Sequence, residues 1–428
     1  MLGGLALLFL LAYFFPILLG VANIAALALV VLLAMDLFLL FREKKGFRAV
    51  REMAERLSNG DDNEIRLYVE SLYGIPVHVT VIDELPFQFQ VRNQDYGLTL
   101  PAGGRKILSY RVRPVERGEY HFGAINIFAA TPLSLARRRF RFEQDRMVAV
   151  YPSYIQLRRY ELLAVSNRLT EAGIKRIRRI GHTMEFDQIR EYVRGDDYRT
   201  LNWKATARRG NFMVNQYQDE RAQQIYSVVD KGRVMKMPFE GMTLLDYAIN
   251  TSLVLSNIAV LKQDKAGLIT FAEKPGTIVP AERRRSQMQR ILEVLYNQKT
   301  NFLESNYELL YAAIRQRITN RSLLMLYTNF ETLSSLQRQL PYLRKIARDH
   351  LLVVVFFENT ELRTLLESSA DTVEQIYMKT IAEKFVYEKR LIVKELQRYG
   401  IHSILTPPSG LTVNTINKYL ELKARRLI

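Results

Sequence analysis

Residues Met184–Gly210 read MEFDQIREYVRGDDYRTLNWKATARRG. This polar stretch lies between a strand-patterned region and a region where strand and helix patterns alternate. It carries the single tryptophan of the chain, Trp203. Charges of both signs crowd it: Glu185, Asp187, Arg190, Glu191, Arg194, Asp196, Asp197, Arg199, Lys204, Arg208 and Arg209. Gly195-Asp196-Asp197 reads as a turn, and an Asp there can cap a helix by accepting first-turn N–H groups. The pattern predicts one helix running through Arg199, Trp203 and Ala207 and stopping near Gly210. The Arg199/Trp203 spacing would lay the guanidinium over the indole, and Lys204 and Arg208 share a neighbouring face. The plainest reading of such charge density is a solvated face or a salt-bridged joint, and a binding surface for a partner or an anion is the other. The joint reading expects Asp196, Asp197, Arg199 and Arg208 to be partly buried in an ion-pair network between domains. No Ser/His/Asp or Cys/His arrangement accompanies the stretch, so it does not read as catalytic.

Gly181, Glu185-Phe186, Arg190, Tyr192, Gly195-Asp196-Asp197, Arg199, Leu201, Trp203, Lys204 and Ala207-Arg208 together resemble the signature of the domain of unknown function 58 family. That signature runs roughly G-x-E-F, R-x-Y, G-D-x-x-R-x-I-x-W and then A-R. The resemblance implies a membrane-anchored protein with an immunoglobulin-like β-sandwich followed by an α/β domain of von Willebrand factor A-like, Rossmann-type architecture. It also implies a MoxR-type AAA+ ATPase as partner in a bacterial membrane-associated chaperone system. It fixes no chemistry. Glu185, Arg190, Tyr192, Gly195, Asp196, Asp197, Arg199, Trp203, Lys204 and Arg208 become the candidate site, as a docking surface or as an inter-domain brace.

The 428 residues suffice for two soluble domains and an anchor. A net charge of +17 suits an anionic membrane face, nucleic acid or an acidic partner. There are no cysteines, hence no disulfide framework, thiol nucleophile or cysteine metal site, which fits a reducing cytoplasm. His78, His121, His182, His350 and His402 are scattered, with no H-E-x-x-H pair to hold zinc.

Leu2–Phe41 carries one charge, Asp36. A span needs about 20 apolar residues, so this run is read as a transmembrane helical hairpin, roughly Leu2–Leu19 and Ile24–Phe41 within residues 1–41, turning near Pro16, Gly20 and Asn23. A signal peptide followed by one span is the alternative, although no basic n-region or clear cleavage site supports it. Asp36, near the end of its span, reads as interfacial. Arg42, Lys44, Lys45, Arg48 and Arg51 follow and mark the cytoplasmic side, and residues 42–58 read as a basic helix along the headgroups. The expected location is the bacterial inner membrane, with the soluble domains in the cytoplasm.

Residues 59–153 show short period-2 runs separated by turn signals, the pattern of a β-sandwich: Ile65–Val69, Val77–Ile82, Phe87–Val91, Ile107–Val112, Tyr120–Ile127 and Met147–Tyr151. Arg137–Arg139 with Phe140, Arg141 and Phe142 is a basic run with aromatics. It is read as a strand near the membrane, with nucleic-acid binding as the sharper alternative. Residues 154–224 form a connector with a helix at Tyr154–Leu163, a basic cluster at Lys175–Arg179, the signature, and a strand at Phe212–Gln218.

Residues 225–428 alternate near-continuous apolar strands with helices, as in a parallel sheet covered on both faces. Ligands of such sheets sit beyond the carboxyl ends of the strands. Many von Willebrand factor A-like domains hold a divalent cation there through D-x-S-x-S plus Thr and Asp from later loops. Here Asp230 remains, but Gly232 and Val234 replace the serines and Asn329 follows Thr328 where an Asp is common. Thr300 or Ser305 can supply one hydroxyl. The oxygen set is incomplete for a hard cation, so no metal and no cofactor are expected, and Lys231 and Arg233 are read as neutralising Asp230 in the ion's place.

The leading expectation is a non-enzymatic membrane-anchored scaffold or adaptor for protein partners, with the bilayer and a MoxR-type ATPase as partners and no nucleic acid. The absence of G-x-x-x-x-G-K-[ST] means that this chain is not itself the ATPase. The alternatives are a membrane hydrolase using Glu185, Asp196 and Asp197 as acid and base, and binding of anionic lipid or nucleic acid through the basic clusters.

Overall fold

The computed structural model describes the chain except residues 1, 16, 92–94, 166–172, 175–183, 220–221 and 368–371. The basic cluster Lys175–Arg179, Gly181 and His182 therefore lie outside the described residues. The chain forms two compact units, Met1–Tyr151 and Pro152–Ile428.

The first unit opens with two apolar helices, α1 (Leu2–Phe14) and α2 (Leu18–Phe41). The first helix ends at Phe14 and the second begins at Leu18, so Gly20 and Asn23 lie inside α2. The helices pack on each other, and Ala12 and Ala22 are buried. Small side chains let two backbones approach closely.

Ten strands follow: β1 (Phe47–Glu52), β2 (Arg56–Ser58), β3 (Asn63–Ser71), β4 (Val77–Asp83), β5 (Asp95–Leu100), β6 (Arg105–Val112), β7 (Gly118–Phe122), β8 (Ile125–Ala130), β9 (Arg138–Phe142) and β10 (Arg146–Tyr151). They form three sheets, ordered β1-β3-β6, β2-β10-β7 and β5-β4-β8-β9. Alternate residues such as Ile65, Leu67, Val69, Val77, Val79 and Val81 meet in one apolar core. Residues 42–58 are thus not a basic helix. Phe47, Ala49 and Arg51 point inward with period 2, and β1 pairs antiparallel with β3. The expected strand at Phe87–Val91 is a 3-10 turn at Phe87–Phe89. The expected strand Tyr120–Ile127 divides into β7 and β8 at Gly123, where a Cβ would meet the Glu84 side chain at 2.5 Å.

In the second unit α3 (Tyr154–Val165) precedes the signature. The signature folds as a two-stranded antiparallel ribbon of β11 (Met184–Glu191) and β12 (Met213–Asp219), carrying the short helix α4 (Trp203–Arg209). Next come β13 (Gln224–Asp230), the small pair β14 (Pro238–Phe239) and β15 (Met242–Thr243), α5 (Leu244–Leu261), β16 (Lys265–Phe271), β17 (Pro275–Glu282), α6 (Arg285–Tyr296) and α7 (Tyr307–Arg317). The chain closes through β18 (Leu323–Tyr327), α8 (Leu333–Asp349), β19 (Leu351–Phe357), α9 (Thr360–Glu367), α10 (Val373–Arg398), β20 (His402–Thr406) and α11 (Leu411–Ala424).

The six-stranded sheet is ordered β17-β16-β13-β18-β19-β20 and is parallel except for β17. One face packs on α5, α6 and α11, and the other on α7, α8 and α10. Alternation along β13 sends Ile225 and Val229 to the first face and Tyr226 and Val228 to the second. Helix α5 is apolar enough to cross a membrane by length and composition, yet it is mostly buried and forms the centre of this core. Neighbouring strands diverge in connection at β13, with β16 on one side and β18 on the other. The crevice beyond their carboxyl ends is where an open α/β sheet places ligands.

Candidate functional site

Asp230 closes β13 and is fully buried at that crevice. Its Oδ1 accepts hydrogen bonds from the Gly232 N–H at 2.8 Å and from the Ser305 hydroxyl. Its Oδ2 accepts from Thr328 Oγ1 at 2.7 Å and from the Tyr307 hydroxyl at 3.3 Å, and Tyr307 and Thr328 are themselves 2.7 Å apart. Burial pushes the Asp230 carboxyl above the usual carboxylate range, and the four donors work against that shift. Burial beside Asp230 also drives the Tyr307 phenol up.

The residues present do not fit a divalent cation. A hard ion needs about six oxygens, and each Asp230 oxygen already carries two protein donors. The position after Lys231 is decisive: a Cβ on Gly232 would stand 1.9 Å from Ser305 Oγ. Ser305 occupies the room that a serine side chain at 232 would need. Among the described residues no group of three acidic, histidine or cysteine side chains gathers around one point. Thr300 is not part of the cluster; its hydroxyl donates to the Lys231 carbonyl at 2.6 Å.

Among the described residues the donors to Asp230 are three hydroxyls and one N–H, and neither Lys231 nor Arg233 is one of these. Lys231 Nζ reaches the Lys299 carbonyl at 3.5 Å instead. Another cation at this end of the sheet is Lys389 of α10. Its Nζ donates to Asn329 Oδ1 at 2.6 Å and lies 5.6 Å from the centre of the Phe356 ring. Burial lowers its pKa from 10.5 to about 8, and Glu331 partly offsets the fall. Lys389 borders a cavity of about 270 Å³, lined on its apolar side by Phe239, Phe357, Leu362 and Phe385. The sequence holds a signal for it. Ala382, Phe385, Val386, Ile392, Val393 and Leu396 form the apolar stripe of α10, and Lys389 falls inside that stripe at helical spacing.

The signature residues sit elsewhere, on the β11–β12 ribbon. In place of one long helix, a 3-10 turn at Tyr198–Thr200 and the separate helix α4 follow one another. Asp197 caps the turn, accepting from the Arg199 N–H at 3.0 Å, and Asn202 caps α4, accepting from the Ala205 N–H at 3.0 Å. Gly210 ends α4 at φ 78°, a conformation open to glycine. The break at Leu201-Asn202 removes the Arg199–Trp203 stack, and Arg199 lies by the Tyr198 ring, 5.8 Å from its centre.

Arg190 and Asp196 form a two-pronged pair at 2.8 and 2.6 Å, which lowers the Asp196 carboxyl below its ordinary range. Asp196 also accepts from the Val193 N–H, so it shapes the turn at Gly195, whose φ is 116°. The expected burial is found only at Asp196, which is half-buried. Asp197, Arg199, Lys204 and Arg208 are exposed, and so are Tyr192, Tyr198 and Trp203, the last two at 70% and 67%. Glu185 lies opposite Gln218 on the ribbon, with its side chain outside what is described. A carboxyl held low by an arginine and another used as a cap supply no acid/base pair.

Residues 188–364 match the family model of the protein of unknown function DUF58. Over this segment the chain is similar to DUF58. The segment runs from β11 through the signature and most of the six-stranded sheet. The uncharacterized protein YeaD of Bacillus subtilis is 28% identical over 196 residues, which cover 44% of this chain and 48% of YeaD. The chain thus spans about half the length of that curated relative. Similar solved structures include the conserved hypothetical protein BatB from Bacteroides thetaiotaomicron, at 10% identity, 48% of this chain, all of that chain and a TM-score of 0.30. The SpRpn10 VWA domain matches at 9% identity, 46% of this chain, 93% of that chain and a TM-score of 0.29. The matched segment includes both the exposed ribbon and the Asp230 crevice.

Proposed function

We propose that the chain is a membrane-anchored, non-enzymatic interaction module whose signature ribbon docks a protein partner. The exposed surface of the ribbon carries this reading. Tyr198 and Trp203 stand in solvent with Phe212, Arg194, Arg199 and Lys204 exposed on the same ribbon. Tryptophan, tyrosine and arginine dominate the binding energy of protein interfaces, and leaving the single Trp of a chain in water has no packing rationale. The Asp230 crevice supports the non-enzymatic part, because its polar groups are spent on one another.

The anchor is α2, whose 24 residues are long and apolar enough to cross a membrane, with exposed Arg42, Lys44 and Lys45 at its end. Positive charge beside a span favours the cytoplasmic side, and the inner membrane of a bacterium is the proposed location. In this reading α1 and α2 enter the bilayer together, although the 13 residues of α1 reach only about 20 Å at 1.5 Å per residue. The β-rich unit serves as an immunoglobulin-like sandwich. A MoxR-type AAA+ ATPase is the partner proposed from the signature resemblance.

The test is a pull-down from solubilised native membranes with the full chain as bait, wild type beside Arg199→Ala/Trp203→Ala, and a thermal melt of each. The expected result is a protein partner captured by wild type and lost from a variant whose melt shifts little. A variant that melts much lower would assign the ribbon a bracing role instead.

A further inference from the structure

Asp36 is fully buried although it sits in an apolar helix. One of its oxygens accepts from the Thr131 hydroxyl, and the other accepts from the Leu135 and Ala136 N–H groups at 3.0 and 2.8 Å. One turn on, the Leu40 carbonyl accepts from Tyr73 OH at 2.6 Å and from Arg138 at 2.8 Å. Arg138 also binds the Glu43 and Lys44 carbonyls and lies between the Phe41 and Phe140 rings. The end of α2 and the loop joining β8 to β9 are therefore fastened at the same height.

Helix geometry sets that height. At 1.5 Å per residue a hydrocarbon core of about 30 Å takes up about 20 residues. Counted from Leu18, that length ends near Leu37, so Asp36 falls at the hydrocarbon edge. A bare carboxylate there is costly, and the loop removes the cost by donating three hydrogen bonds. The outer side of the loop has no such cover: Pro132, Leu133 and Arg137 are exposed, as are Arg42, Lys44 and Lys45 at the helix end. Apolar tips backed by cations complement an anionic phospholipid surface.

We propose that the loop Thr131–Arg137 is a lipid-contact site, with Pro132 and Leu133 seated among the headgroups of an anionic bilayer and Arg137 against lipid phosphate. The inference rests on the reading of α2 as a membrane span. Its occupant is the leaflet surface itself, and Asp36 is the positioning residue that holds the loop at that depth.

The experiment uses the full chain with Trp203→Phe, so that one introduced tryptophan is the sole reporter. Leu133→Trp, Pro132→Trp and, within α2, Leu27→Trp are reconstituted in phosphatidylcholine/phosphatidylglycerol vesicles. The lipids carry bromine either near the headgroup or deep in the acyl chains. The expected result is strong quenching of both loop reporters by shallow bromine, at least twofold above deep bromine, with the opposite preference at position 27. Unquenched loop reporters beside a quenched position 27 would overturn the loop site and leave the anchor standing. No quenching at any position would overturn the anchor and the inference with it.

Discussion

Gly232 shows how one missing side chain remakes a site. A Cβ there and Ser305 Oγ would claim the same space, so Gly232→Ala is predicted to cost about 1–3 kcal/mol by overpacking. The penalty should shrink by about 1 kcal/mol or more in a Ser305→Gly background, read by urea melts of the four proteins of the cycle. Equal penalties in both backgrounds would mean that Ser305 simply swings aside. Lys389 gives a second test. Its folded pKa, about 8, lies below its ordinary 10.5, so the unfolded chain binds more protons between those values. The burial cost is fully present below pH 8 and is relieved as pH rises toward 10.5. Wild type should therefore gain stability over that window relative to Lys389→Met, measured by melts at pH 7.5 and pH 10. Parallel pH curves would contradict the assignment. The sequence signals only one of the two roles, through the place of Lys389 within the apolar stripe of α10. Gly232 read only as a lost ligand, and Lys389 lay unremarked in a long helix because an apolar stripe leads the eye past one lysine.

Elements were legible where local chemistry and burial agree. Runs such as Leu323–Tyr327 and Leu351–Phe357 have no polar interruption, and the following or preceding helices start at side chains able to cap, as with Thr332 and Asn306. Strand β17 is hard to read from sequence because Pro275, Gly276 and Pro280 look like loop; an edge strand tolerates them. Strand β1 lies in a segment read as a headgroup helix because basic residues, Arg48 and Arg51 among them, directly follow the apolar span. The faces of Arg48 and Arg51 are in fact opposite. Arg48 is exposed, whereas Arg51 is buried and clasps Asp83 through its guanidinium, bonding also to the Gly123 and Gln144 carbonyls at 2.9 and 3.1 Å. Tyr110 donates to the same carboxylate, and its phenol is driven well up by burial. Removing one member of a buried pair strands the other charge, so Asp83→Ala should cost about 3–5 kcal/mol and lower the melting temperature of the β-rich unit. A loss below about 1 kcal/mol would show that water reaches Arg51.

At the scale of the molecule, the signature was recognisable but its setting was not. Its mixed charges read as a solvated face or as a salt-bridged joint. The short cap-to-cap segments at Asp197 and Asn202 turn the side chains outward, and among the described residues their ribbon shares no strand pairing with the six-stranded sheet. The order of apolar helices, β-rich unit and α/β unit was readable because each has its own hydrophobic period. The hold of the β-rich unit on α2 was not, because it depends on Asp36 meeting backbone N–H groups about one hundred residues away. The account stands or falls on the ribbon as a docking surface. The most direct measurement places a photoreactive phenylalanine at position 198 of the full chain and irradiates cells making it. The account predicts a discrete adduct with another protein, absent when the same group is placed at the buried position 245 of α5. Irradiation that yields no protein adduct at position 198 would contradict it.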